Sequence, residues 1–266
     1  MIEVVGVYRY PLTGARAEVL DSAMVGPAGL EGDRTLVLYD ATCVASAKPR
    51  VSQKGNPKLA TVDAFTNPLE LYIPNYGNFY IPEEPSEVDV IVDEFGDQVP
   101  ANDMGDRFAA RLSQFLGVPG VRLARKAQDW LAGGVTPPAL RHNRAIHIVN
   151  RATVRAVQAR MPESTFGTER FRPSIVVDGE IEAFQENEWL NEQIVIGGVT
   201  YAVNALTKRC PVPGYDQRMG RNRKDVPKLY RDLPKADNKP VFGVYAYPLI
   251  AIGDGAELTV GMPVAA

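Results

Sequence analysis

Residues 193–216 read QIVIGGVTYAVNALTKRCPVPGYD, and the fold is read outward from them. Gln193–Ile196 and Val199–Leu206 are apolar, β-branched runs joined by Gly197-Gly198, a short-range hairpin signal. The second strand runs directly toward Cys210, which two cations, Lys208 and Arg209, precede and Pro211 and Pro213 follow. A residue before proline is driven out of the helical region, so Cys210 is expected at a strand end or in a stiff loop. Neighbouring cations favour a thiolate, which is both the nucleophile and the metal-binding form of cysteine. The alternative is a buried cysteine serving as a small hydrophobe.

The same strand grammar recurs along the chain. Ile2–Tyr8 alternates like a half-buried strand and ends before Pro11. Further strands are expected at Ala17–Met24, Thr35–Tyr39, Leu59–Phe65, Leu69–Ile73, Val88–Val92, Val121–Arg125, Phe171–Val177, Phe242–Tyr247 and Glu257–Val260. Residues 40–50 and 126–143 read as irregular, and Asp178-Gly179 as a turn. Asp33 and Arg34 are expected to form an ion pair or to cap a turn, a structural role. Helices are fewer. Asp106–Leu116 places Phe108, Leu112, Phe115 and Leu116 on one face and stops at Gly117. A second starts at Asn150, a good N-cap, with Val154, Val157 and Met161 on its apolar stripe. A short third is expected at Asp225–Asp232. Many short strands with few helices predict a mainly β, barrel-like fold.

Composition narrows the function. The 266 residues carry 29 basic and 32 acidic side chains, a net charge of −3 without a basic stripe, which argues against nucleic acid as a partner. Two cysteines, Cys43 and Cys210, are too few for a disulfide framework or a four-cysteine cluster. His142 and His147 fall on opposite faces of an extended segment, a poor metal clamp. Glu186 and Glu188 lie in a polar loop with no reason to act as an acid–base pair. The opening strand is not a signal peptide and no run reaches membrane-spanning length, so the expectation is a cytoplasmic protein with no membrane partner.

Separated motifs then converge. YPLTG near the start, GLEGDR, SQKGNPKLA, the helix at 106–116, ERFRPSIVV, TKRCPVPGYDQRMG, VFGVYAYP and LTVG occur in the order found in MOSC-domain proteins. The chain resembles that family, shared by molybdenum cofactor sulfurase C-termini and the mitochondrial amidoxime-reducing component. The resemblance covers nearly the whole length. It implies a MOSC-type β-barrel at 101–266 preceded by a smaller β-barrel-like domain at 1–100, with the molybdenum cofactor (molybdopterin) between them.

By the same resemblance Cys210 is the catalytic cysteine and a thiolate ligand to molybdenum, soft sulfur suiting that metal. Lys54, Asn150, Thr153, Arg172, Ser174, Lys208 and Arg209 are the implied cofactor-binding residues. Arg172 offers a fork of donors for phosphate or pterin carbonyls, though it also has Asp178 or Glu169 as candidate ion-pair partners. Two departures stand out. Thr13 and Gly14 replace a lysine and a serine of the family's first turn, and Ser174 replaces an asparagine. The activity implied first is a molybdenum-dependent oxidoreductase acting on a small N-oxygenated substrate such as an amidoxime or hydroxylamine. With no cluster or Rossmann fingerprint of its own, it would draw electrons from a separate donor protein. The alternatives are a sulfur carrier with a persulfide on Cys210, and a cofactor-binding module without catalysis.

Overall fold

The computed structural model describes residues 1–82, 89–94, 96–127, 146–160, 167–222, 233–251 and 253–266. Seven strands close into a barrel in the order Ile146–Asn150, Ile175–Gly179, Ile2–Arg9, Pro263–Ala265, Gln193–Ile196, Val199–Lys208 and Lys239–Pro248. The last strand pairs back with the first, Ile146 opposite Ala246 and Ile148 opposite Val244. Ile146–Asn150 and Ile175–Gly179 run parallel, and the other neighbours are antiparallel. Closure leaves no unpaired edge in this ring. Val4, Val7, Ile148, Val177, Ile194, Val203 and Val244 fill it. Each such side chain, fully buried, is worth roughly 1.5–3 kcal/mol of transfer free energy.

A second body packs beside the barrel. Its five-stranded sheet has the order Leu36–Asp40, Val121–Lys126, Asp97–Asp103, Asp89–Glu94, Ala47–Pro49. A three-stranded sheet, Asp63–Thr66, Leu69–Ile73 and Gly77–Tyr80, and helix α1 (Asp106–Leu116) complete it. Phe108, Leu112 and Leu116 of α1 are buried among Leu38, Leu71, Ile73 and Leu123. Gly117, left-handed at φ 69°, ends the helix with its N–H on the Ser113 carbonyl.

The sheets and cores do not follow a single cut at residue 100. Ile2–Arg9 belongs to the barrel, whereas Val121–Lys126 pairs with Leu36–Asp40 in the other body. The local readings differ in a few places. Pro57–Thr61 forms a 3-10 turn, and the strand expected from Leu59 begins only at Asp63. Thr168–Phe171 is also a 3-10 turn. Pro173, which lacks a ladder donor, delays the next strand to Ile175. Gly179 closes that strand opposite Ile2 instead of turning. The 40–50 stretch contributes the strand Ala47–Pro49, and Ala17–Met24 splits into Glu18–Leu20 and Ser22–Gly26. The helix expected at 225–232, His142, Met161 and most of the 126–143 loop lie outside the described residues.

Helix α2 (Arg151–Ala159) begins at Asn150, whose side chain accepts from the Ala152 N–H and donates to the Glu182 carbonyl. One turn on, the Thr153 hydroxyl donates to Glu186 at 2.8 Å and accepts from the Phe184 N–H at 2.6 Å. Glu186 is wholly buried, and burial raises its carboxyl from 4.5 to about 7. Across that window the unfolded chain releases this proton while the folded chain keeps it. Stability therefore falls as pH rises and levels off above the folded value. Glu186→Gln keeps the Thr153 contact and removes the titration. Urea unfolding at about pH 5 and about pH 8 should show the wild type losing roughly 2–3 kcal/mol more than the variant between the two conditions.

Candidate functional site

The strand Val199–Lys208 delivers Cys210 to the seam between the two bodies. Two register irregularities, Val203/Ala205 and Leu206/Lys208, bend the strand against Lys239–Pro248 before it leaves the barrel, and such bulges re-aim the side chains that follow. The Arg209 N–H bonds to the Pro240 carbonyl at 2.8 Å. Beyond Cys210 the chain makes a 3-10 turn at Val212–Gly214. Buried Arg170 donates to the Pro213 carbonyl at 3.0 Å, and the Tyr215 hydroxyl donates to the Lys54 carbonyl at 3.1 Å, so both bodies hold this loop. Cys210 is exposed and not in a disulfide.

Cys210 lines a cavity of about 480 Å³. The barrel side contributes His147, Phe171, Arg172, Arg209, Val212 and Tyr245. The second body contributes Thr13, Gly14, Arg50, Ser52, Gln53, Lys54 and Glu94, and Arg34 closes the wall. Five cations therefore meet one lining carboxylate. Asp33 pairs with Arg34, as the sequence leads one to expect, and Glu94 approaches Arg50 at 3.9 Å. Among the described residues no carboxylate pairs with Lys54, Arg172 or Arg209. The Arg209 Nε is buried without a hydrogen-bond partner, an orphan donor in the wall that holds the thiol. A buried unmet donor in a cationic cavity fits an anionic ligand.

Tyr10 organises the arginines. Its ring lies under the Arg172 guanidinium at 4.1 Å and the Arg34 guanidinium at 5.6 Å, and its hydroxyl donates to the Pro173 carbonyl at 3.1 Å. Arg34 and Arg172 both have left-handed backbones, φ 53° and 56°. A residue in this region costs about 1–3 kcal/mol and persists only where its surroundings enforce it. Arg172 is additionally the residue before a proline, where extended backbone is the norm. Burial lowers its guanidinium to about 10, with Arg34 and Arg209 adding repulsion. Burial also lowers His147 to about 3, with Arg209 adding to it, so the ring is neutral. Its nitrogens face the Phe242 carbonyl at 3.1 Å and the Arg172 carbonyl at 3.3 Å. Burial alone would raise the Glu94 carboxyl; Lys126, then Arg50, hold it below the usual range.

Of the residues implied by resemblance, Cys210, Lys54, Arg172 and Arg209 come together here. Arg172 pairs with neither carboxylate considered for it, since Asp178 binds Arg155 at 2.8 Å and Arg151 at 3.7 Å. Asn150 and Thr153 do not line the cavity; they cap α2 and tie it to residues 182–186. Ser174 is buried behind the wall, its N–H on the His147 carbonyl at 2.8 Å. Lys208 pairs with Asp237 at 2.6 Å and is not among the residues lining the cavity. The sequence reading did not place Arg34, Gln53, Glu94 and His147 at the site. Left-handed Arg34 follows directly on GLEGD, and that glycine-flanked turn was the available signal.

Comparison with known proteins places the chain in a family. Residues 128–265 match the model of the MOSC domain. The molybdenum cofactor sulfurase of Danio rerio is 26% identical across 93% of this chain and 33% of its own length. Molybdenum cofactor sulfurase 2 of Culex quinquefasciatus is 28% identical across 82% of this chain and 30% of its own. The chain thus spans about a third of the length of these curated relatives. Among solved structures, the YUAD protein from Bacillus subtilis aligns over 99% of this chain and 94% of its own, with 10% identity and a TM-score of 0.45. With more than half of its residues in the matched domain, the chain belongs to the MOSC-domain family.

Proposed function

We propose that the Cys210 cavity binds a molybdenum cofactor and that the protein is an oxidoreductase acting on small N-oxygenated substrates. One observation carries this reading. An exposed cysteine shares a cavity with Arg34, Arg50, Lys54, Arg172 and Arg209, and among the described lining residues Glu94 is the one carboxylate. A phosphorylated pterin is an anion that such a wall would neutralise, and Cys210 offers the soft donor that molybdenum prefers. Lys54, Arg172 and Arg209 would hold the anionic part, the last through its orphan Nε. The cofactor, when bound, supplies two-electron oxygen-transfer chemistry. The chain's own residues would orient substrate and limit water: Phe171 and Tyr245 form the apolar part of the wall, and neutral His147 adds no charge to it. Electrons would come from a separate donor protein.

Sulfur transfer is the second reading, supported by the sulfurase relatives and by the exposure of Cys210. A persulfide on Cys210 would then be the working species, loaded by a partner.

Elemental and pterin analysis separates the two. Protein from a host that makes the cofactor should contain near-stoichiometric molybdenum with pterin, and Cys210→Ser should lose most of the metal. A metal-free chain with one additional sulfur on Cys210 by mass spectrometry supports sulfur transfer and sinks the oxidoreductase reading. Arg172→Gln and Arg209→Gln should each reduce retained pterin by about tenfold, the worth of a charge-assisted hydrogen bond to an anion. Retention equal to that of the wild type in both variants would remove the arginines from the site.

A further inference from the structure

Arg172 lines a second cavity as well as the first. This one measures about 450 Å³ and does not include Cys210. Between the two lies a side-chain partition: Gln53, in the wall of the Cys210 cavity, donates to Gln217, in the wall of the second, at 3.2 Å. We propose that this second cavity is a separate binding site for a compact aromatic carboxylate. The two cavities share Arg172, and the assignment does not rest on the identity of what fills the Cys210 cavity.

The charge of the lining selects an anion. Arg16, Arg172 and Arg218 face the space together with one carboxylate, Glu169. Asp63 already answers Arg16 at 3.0 Å. Arg172 has five N–H donors, and among the described residues its side chain donates to the Ala15 carbonyl. Arg172 and Arg218 therefore exceed Glu169 by one positive charge, which suits a monoanion. Arg218 is exposed, yet its backbone is fixed. Asp216 accepts from the N–H groups of Arg218 and Met219, both at 3.0 Å, and the Gly220 N–H bonds to the Asp216 carbonyl at 2.8 Å. Gly220, at φ 58°, sits so close to the Pro57–Thr61 turn that a Cβ would fall 2.8 Å from the Lys58 Cα. The turn that carries Arg218 is thereby pinned to the second body.

Aromatic selectivity comes from the opposite wall. Tyr8, on the strand Ile2–Arg9, and Tyr10, just past its end, both line this wall. Gly6 leaves room for the Tyr8 ring to lie back along the strand; a Cβ there would be 2.7 Å from its Cε2. Ala17 and Ala60 add apolar surface. A flat ring against Tyr8, with its carboxylate toward Arg218 and Arg172, satisfies both halves of the lining.

The probe is naphthoate, titrated by calorimetry and ligand-observed NMR, with naphthamide as its neutral counterpart. Wild type and Cys210→Ser should bind naphthoate equally at one saturable site, and naphthamide about tenfold more weakly. Arg218→Gln and Tyr8→Ala should each weaken naphthoate by about tenfold. Glu169→Gln should tighten it severalfold, a gain that misfolding cannot produce. The proposal is overturned by an absence of saturable binding, by equal affinity for the amide, by indifference to both Arg218→Gln and Tyr8→Ala, or by loss of binding in Cys210→Ser. Failure of molybdenum loading would leave every one of these outcomes readable.

Discussion

Positive charge held without matching carboxylates is the constraint on which the rest of the molecule depends. Lys54, Arg172 and Arg209 converge on one cavity, and the fold spends its rigidity keeping them there. Burial, with repulsion from Arg34 and Arg209 added to it, pushes the Arg172 guanidinium down to about 10. Left-handed backbone at Arg34 and Arg172 adds about 1–3 kcal/mol at each residue. Tyr10 offsets part of this: cation–π contacts to two arginines, a hydroxyl on the Pro173 carbonyl and a backbone N–H on Asp33 at 2.7 Å make one residue the hub of the wall.

The barrel supplies the frame that such strain requires. His147 lies on the strand that closes the ring, and its Nε2 reaches the Phe242 carbonyl across that closure. The next residue, Gly243, has φ 75°, and a Cβ there would fall 2.5 Å from the Ile148 carbonyl and 2.8 Å from the His147 Nε2. Only glycine permits that approach. The back of the cavity is thus set by the same contacts that seal the barrel, which couples the position of Arg172, whose carbonyl faces His147, to ring closure. On the other side of the seam, the five-stranded sheet carries Glu94 at the end of one strand and Lys126 at the end of another.

Parts of this arrangement are legible in the chain. A hairpin ending in KRCPVPG announces a cysteine at a strand end because proline restricts the backbone locally, and α1 announces itself through Phe108, Leu112 and Leu116. Asn150 is equally legible as a helix cap, and that is the use the structure makes of it. What escapes a linear reading is the seam. Gln53 and Glu94 carry no local pattern; they matter only because residues far apart in sequence fold onto one wall. The closing of the barrel by Ile2–Arg9 is invisible for the same reason, since an alternating strand names its faces but not its neighbours. The 3-10 turn at Pro57–Thr61 was hidden by an apolar run that suits either state.

The departure at Thr13 shows how charge is redistributed without being lost. Where the family's first turn offers a lysine, this chain has a hydroxyl, and Lys126 from a neighbouring strand brings its Nζ to 3.4 Å from it. That ammonium is buried and bonded to Glu94, whose other cationic neighbour is Arg50. A buried ion pair is weak evidence for stability, because desolvation consumes most of the Coulombic gain. Its effect here is positional. Lys126 answers Glu94 from behind, and Arg50, 3.9 Å from the same carboxylate, lines the cavity. A lysine at residue 13 would compete with Lys126 for the same carboxylate. The small Thr13 and the buried Lys126 are therefore two halves of one solution, in which the sheet carries the cation that the turn does not.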